Sequence, residues 1–160
     1  MKRSVFTVAI PVAALAAVAL GTSGTAAGHS TPTSTTSAVA KVELSTTNLG
    51  KVLADGRGHT LYLLGSDKAG KSSCFGACAK AWPPLTTTGK PTAGRGVSAS
   101  KLGTTNRGHG VKQVTYNGHP LYGFIKDTKA RQTNGEGIKA FGGQWSAVSA
   151  AGKAVVHRGP

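Results

Sequence analysis

The sequence predicts an all-β domain, with room for one or two short helices, made of two tandem β-hairpin-based repeats packed as one domain. Three observations predict it. Gly58, His59, Thr60, Leu61 and Tyr62, followed by Leu64 and Asp67, reappear at an offset of 60 as Gly118, His119, Pro120, Leu121 and Tyr122, followed by Phe124 and Asp127. Later landmarks recur at an offset of 63: Trp82 and Leu85 match Trp145 and Val148, and Gly89-Lys90 match Gly152-Lys153. An Asn117-Gly118 pair stands between two β-rich runs, and 23 glycines with a large Ser/Thr share point to turns and loops.

From the start of the chain, Lys2 and Arg3 precede an apolar run of 16 residues, Val5 to Leu20, and then small residues up to Gly28. Residues 1–27 read as an export signal, with the cut before Gly28 or after Ala26. The run is interrupted by Pro11 and falls short of the roughly 20 residues a spanning helix needs. The cysteines are Cys74 and Cys78, neither near the cut, so a secreted and not lipid-anchored product is expected. A cut after Ala26 would leave a His at the third position, His29, whose nitrogens with the free amine suit Cu(II). Residues 28–41 are Ser/Thr-rich without apolar periodicity, a disordered tether. The two-repeat domain is expected over 42–156, with repeat 1 at about 49–90, a connecting segment at about 91–110 and repeat 2 at about 111–156.

Within repeat 2, Val114 to Tyr116, the Asn-Gly pair and Pro120 to Ile125 read as a hairpin, because that dipeptide supplies the positive φ angles of a type I′ turn. Repeat 1 offers Val52 to Ala54, then Asp55 to Gly58, then Thr60 to Leu64, the same hairpin with a longer loop. Leu61 to Leu64 alternate poorly, so both faces of that strand should be partly covered. Each copy then reaches a Trp-containing strand, Trp82 to Leu85 or Gln144 to Val148, the second closing as a hairpin with Ala154 to Val156. Pro83 and Pro84 weaken the first of these or force it to an edge. The connecting segment has Val97 and Leu102 as its apolar anchors and should hold a short turn of helix or strand between them.

The paired Tyr-x-(Phe/Trp/Tyr)-x-x-Asp elements, the Cys-containing segment ending in Ala81, Trp82, Pro83, Pro84 and Leu85, and the stretch Gln113 to Tyr122 together resemble the bacterial secreted repeat of unknown function, also described as predicted lipoproteins with a Yx(FWY)xxD motif. The resemblance runs from about Leu49 to Val148. Leu64 departs from it, standing where the motif has an aromatic, and so does the missing lipoprotein cysteine. What the resemblance implies is an extracytoplasmic domain of tandem repeats, with no reaction to transfer.

In a strand, Tyr62 and Leu64 share a face, as do Tyr122 and Phe124, so the motif reads as an inward pair of large side chains with an Asp at the exit. Trp82 and Trp145 join them as core anchors. Asp67 and Asp127 should cap backbone N–H groups of the following loops. Cys74 and Cys78 flank a segment that reads as a helical turn opened by Ser72 or Ser73. Four residues apart on such a turn, their Cα atoms lie roughly 6 Å apart, so a disulfide is expected in an oxidising compartment. A redox-active pair is the alternative. His59 and His119 are repeat-equivalent and belong at a turn or strand edge; a joint transition-metal site there is the alternative to having no cofactor.

For catalysis there is no nucleophile elbow, no HExxH and no GxGxxG. Gly65 to Ser72 literally satisfies the phosphate-loop pattern, without a phosphate-binding helix to follow. With 19 Lys+Arg against 5 Asp+Glu the formal charge is +14, scattered singly and without aromatic interleaving, so no dedicated nucleic-acid groove is indicated. The expectation is a secreted or cell-envelope-associated noncatalytic binding or structural domain that meets an anionic cell-wall polymer or membrane surface. The alternative is an extracytoplasmic redox or metal-handling protein using Cys74/Cys78 or His59/His119.

Overall fold

The computed structural model describes residues 38–68 and 70–155. The expected export signal, residues 28–37 of the tether, His29 and the last residue of the closing hairpin lie outside them. The strands are β1 (Lys41–Thr47), β2 (Gly50–Asp55), β3 (Tyr62–Leu64), β4 (Thr86–Thr87), β5 (Thr92–Ala93), β6 (Leu102–Asn106), β7 (Lys112–Tyr116), β8 (His119–Pro120), β9 (Lys139–Ala140) and β10 (Gly143–Ala147). One short helix, α1 (Ala77–Ala81), and a 3-10 turn at Ala99–Lys101 complete the described residues. The protein is therefore all-β, as the duplicated hairpin pattern predicts.

Each repeat contains a strand that the pattern did not disclose. β1 pairs antiparallel with β2, and β6 pairs antiparallel with β7, so the repeat begins one strand before the landmarks. β1 starts inside the stretch read as tether, and Ala40 is already buried, its N–H donating to Thr87 Oγ1 at 3.1 Å. β6 occupies the segment read as a connector. β6 (LGTTN) is Thr-rich and half-exposed and carried little apolar signal, while the short alternation of Val42 and Leu44 in β1 (KVELSTT) borders the Ser/Thr-rich stretch and runs into Ser and Thr. The Asn117-Gly118 turn is as predicted, with φ of 50° and 80°.

The two repeats exchange strands. Leu53 N–H donates to Val148 O (2.7 Å), Val148 N–H to Leu61 O (3.1 Å) and Leu61 N–H to Leu53 O (2.9 Å), a closed ring of three hydrogen bonds. Its counterpart runs from Val114 to Leu85 (2.8 Å), Leu85 to Leu121 (2.9 Å) and Leu121 to Val114 (3.0 Å). In each ring two members come from one repeat and the third, beside the tryptophan, from the other. Accordingly β3 pairs with β10 through Tyr62↔Ala147 and Trp145↔Leu64, while Tyr122 bridges Pro84. The rings meet where Tyr62 and Tyr122 exchange backbone hydrogen bonds of 2.8 and 3.0 Å, which marks a pseudo-twofold axis.

Alternation along the motif strands feeds two cores. Leu61, Leu63 and Leu121 join Val42, Leu53, Val114, Tyr116 and Val148 on one face. Tyr62, Leu64 and Tyr122 join Val52, both cysteines, Trp82, Trp145 and Ala147 on the other. Both faces of Leu61 to Leu64 are thus covered, and its uniformly apolar sequence follows. The first tryptophan segment is not a regular strand: Trp82 ends α1, and Pro83 and Pro84 leave only carbonyl pairing, with Gly123 N–H donating to Pro83 O at 2.9 Å.

Candidate functional site

The centre of the molecule is a reciprocal pair of tyrosine–aspartate contacts across the pseudo-twofold axis. Tyr62 Oη donates to Asp127 Oδ2 at 2.5 Å and Tyr122 Oη donates to Asp67 Oδ2 at 2.6 Å. Each motif tyrosine therefore finds the aspartate of the other repeat, not its own. The remaining carboxylate oxygens cap their own loops as expected: Asp67 Oδ1 accepts from Ser73 N at 2.7 Å and Asp127 Oδ1 from Asn134 N at 2.9 Å. Asp127 is buried, and its charge is held by hydrogen bonds to both oxygens.

Between the phenols lies a stack of rings. Trp82 and Trp145 lie parallel at 3.9 Å and 2°, with Tyr62 edge-on to Trp82 at 5.4 Å and Tyr122 edge-on to Trp145 at 5.1 Å. Phe124 extends the stack on Trp82 at 4.1 Å. Its counterpart Leu64 pairs in register with Trp145. A Cβ at Gly143 would come within 2.9 Å of Leu64 Cδ1, and one at Gly135 within 2.8 Å of the Trp82 ring, so both halves of the core are closely filled.

Burial, and then the facing carboxylate, push the phenol pKa of both Tyr62 and Tyr122 well above the ordinary value of 10.0. The proton is bound more tightly in the folded than in the unfolded chain, so this stabilisation is complete below pH 10 and lost as pH rises from there toward the folded values. Each tyrosine should remove about 1.4 kcal/mol of stability per pH unit in that window. Urea midpoints measured from pH 9 to 11.5 should fall less steeply for Tyr62→Phe than for the unaltered chain; equal slopes would show that the phenols are not the titrating groups.

The disulfide joins Cys74 and Cys78, both buried, as expected from their spacing. The helical turn is not opened by Ser72 or Ser73. α1 begins after Gly76, at φ 56°, because Asp67 engages Ser73 through both N–H and Oγ and Ser72 Oγ accepts from Cys74 N. No helix follows Ser72 directly, so Gly65 to Ser72 lacks the helix N-terminus of a phosphate loop.

Arg107, singled out by nothing in the sequence, ties this loop to the sheet. Its Nη1 donates to Ser72 Oγ (2.5 Å) and Gln113 Oε1 (2.7 Å), its Nη2 to Cys74 O (2.5 Å), and its guanidinium lies 4.4 Å from the Phe75 ring centroid. Ser72 Oγ is in turn 2.7 Å from Tyr122 Oη. In the other half the matching turn carries Asn48, whose Oδ1 accepts from Thr133 Oγ1 at 2.7 Å. The shorter side chain leaves an open cavity of ≈ 630 Å³ lined by Asn48, Leu49, Thr133, Glu136, Gln144 and Val155.

His59 sits beside the first hairpin loop, its Nδ1 3.5 Å from Asp55 Oδ2, and His119 lies in β8 opposite Tyr116. Among the described residues no group of three or more His, Cys, Asp and Glu is placed to hold a metal ion. The profile of a family described as "secreted repeat of unknown function" matches residues 43–86 and 103–149. The first match begins in β1 and the second in β6, in agreement with the extra strand of each repeat. No curated protein and no solved structure matches the chain.

Proposed function

The chain belongs to the family of secreted repeats of unknown function, and from that premise we propose that it is a noncatalytic module held at the cell envelope by anionic polymer. The observation that carries this reading is the use of its acidic residues. All five carboxylates have partners within the described domain: Glu43 with Lys41, Asp55 with the turn at Arg57 and His59, Asp67 and Asp127 with the tyrosines, and Glu136 with the Ala147 N–H. Four of them serve backbone groups or phenols, against 19 Lys+Arg in the chain. This excess of basic residues favours association with polyanions.

The tyrosine–aspartate contacts, rigid and turned inward, support a structural and not a catalytic part for the motif. Phenols held protonated by burial and by a carboxylate are poor bases and poor nucleophiles at neutral pH. A redox part for Cys74 and Cys78 would require an exchanging thiol to reach the sulfurs of residues that are only 1% and 5% exposed.

Retention on purified anionic wall polymer should fall by more than about tenfold as salt rises from roughly 0.1 to 1 M, where the screening length drops from about 10 to 3 Å. Binding that ignored salt would remove electrostatic retention as the explanation.

A further inference from the structure

The pseudo-twofold axis allows each half to be used as the control for the other, and one surface cleft breaks that symmetry twice with arginine. The hairpin turn of repeat 2 is the two-residue Asn117-Gly118, whereas repeat 1 has the longer loop Asp55 to Gly58, and the added length carries Arg57. Asp55 holds this loop rigidly, its Oδ1 accepting from Arg57 N at 2.9 Å and from His59 N at 3.0 Å.

The second departure is at Arg131. After Asp67, the chain turns through Gly70 at φ 71°, where an added Cβ would meet Gly118 O at 3.3 Å. After Asp127, the equivalent turn is made by Arg131 at φ 68°, its N–H donating to Gly58 O at 3.1 Å. A left-handed backbone suits glycine and strains an arginine. The same place in the fold is thus met by the unstrained residue in one half and by a strained, charged residue in the other. Strain held at a defined position is a reason to ask what the side chain does there.

Arg57 and Arg131 line one cleft of ≈ 430 Å³ with Ser45, Thr46 and the backbone of Gly56 and Gly58. Glu43 also lines it and is neutralised by Lys41 at 2.6 Å. Two arginines at one cleft, each carrying a planar fork of donors, suit a tetrahedral oxyanion better than a lone lysine would. We propose that this cleft is a specific site for a phosphate group, and that it gives the retained module its point of attachment to a phosphate-bearing envelope polymer. The proposal rests on the reading of the protein as a module held by anionic polymer, and locates that holding at two arginines.

The test titrates the secreted chain with inorganic phosphate and, separately, with a poly(glycerol phosphate) of defined length, at fixed ionic strength. Arg131→Gly, Arg57→Ala, and the control Lys80→Ala/Lys153→Ala, which removes two exposed charges outside the cleft, are compared. Arg131→Gly restores the residue of the other half and should not lower Tm, so lost binding cannot be ascribed to misfolding. Each arginine change should weaken polymer binding by about tenfold, as expected for one charge-assisted contact, with the control under about twofold. Inorganic phosphate binding with the same loss would show that the group alone is recognised; binding confined to the polymer would show that adjoining units are read as well, and both results support the cleft. If Arg57→Ala and Arg131→Gly weaken binding no more than the control, the cleft proposal falls while diffuse retention stands. If the unaltered chain binds no phosphate polymer at any salt, retention by that polymer falls and the cleft with it.

Discussion

Cut between the exposed residues Arg95 and Gly96, residues 38–95 and 96–155 are expected to be unfolded as separate monomers and to fold on mixing. The reason is the strand exchange. The first fragment holds Tyr62 without Asp127, Trp82 without Trp145 and Phe124, and Leu53 and Leu61 without Val148 to close their ring. The second lacks Asp67, Trp82 and Leu85 in the same way. Each piece alone would expose most of its large rings, and a chain of about 60 residues has little other core to offset its conformational entropy. Near-ultraviolet circular dichroism should be featureless for each fragment and reappear at a 1:1 ratio, with a midpoint that depends on concentration. A fragment that gave a cooperative transition as a monomer would show that a repeat closes on itself and that the exchanged pairing is dispensable.

Trp145→Ala is expected to have the largest effect of any single substitution, a loss of about 3–5 kcal/mol, enough to unfold a marginal domain. Trp145 is 0% exposed, lies flat on Trp82 at 3.9 Å, receives the edge of Tyr122 at 5.1 Å and donates its Nε1–H to Ala140 O at 3.2 Å. Removing it opens a void between backbones already pinned by the hydrogen-bonded rings, so the surroundings cannot collapse into the space. In a domain of this size the fall in Tm should be roughly 15–25 °C. A loss under about 1 kcal/mol in urea titration would mean that the ring stack is not what holds the halves together.

Much of this architecture was legible before any coordinates. The offset of 60 between Tyr62 and Tyr122, and of 63 between Trp82 and Trp145, exposed the duplication, since matched rings and turn glycines are costly to reproduce by chance. The Asn117-Gly118 turn was legible because few residues tolerate two successive positive φ angles. The capping role of Asp67 and Asp127 was legible too, being a local property of a carboxylate a few residues from free N–H groups. Less visible were β6, whose Leu-Gly-Thr-Thr-Asn carries little alternation, and β1, whose brief alternation of Val42 and Leu44 runs into Ser and Thr beside the polar stretch before it. The helix start at Gly76 was masked by two serines, since Asp67 competes for Ser73 from six residues away.

Local chemistry and self-similarity, then, were settled by the amino-acid order alone: two copies of one all-β unit, inward tyrosines, anchoring tryptophans, a short disulfide and a strongly basic chain. Which copy's aspartate meets which copy's tyrosine, where Arg107 reaches, and that Arg57 and Arg131 share a cleft were decided only in three dimensions. A duplicated sequence is equally compatible with each repeat closing on itself or on its twin, because the pairing groups are identical in kind. Only the lengths of the connections and the packing of the shared ring stack distinguish the two.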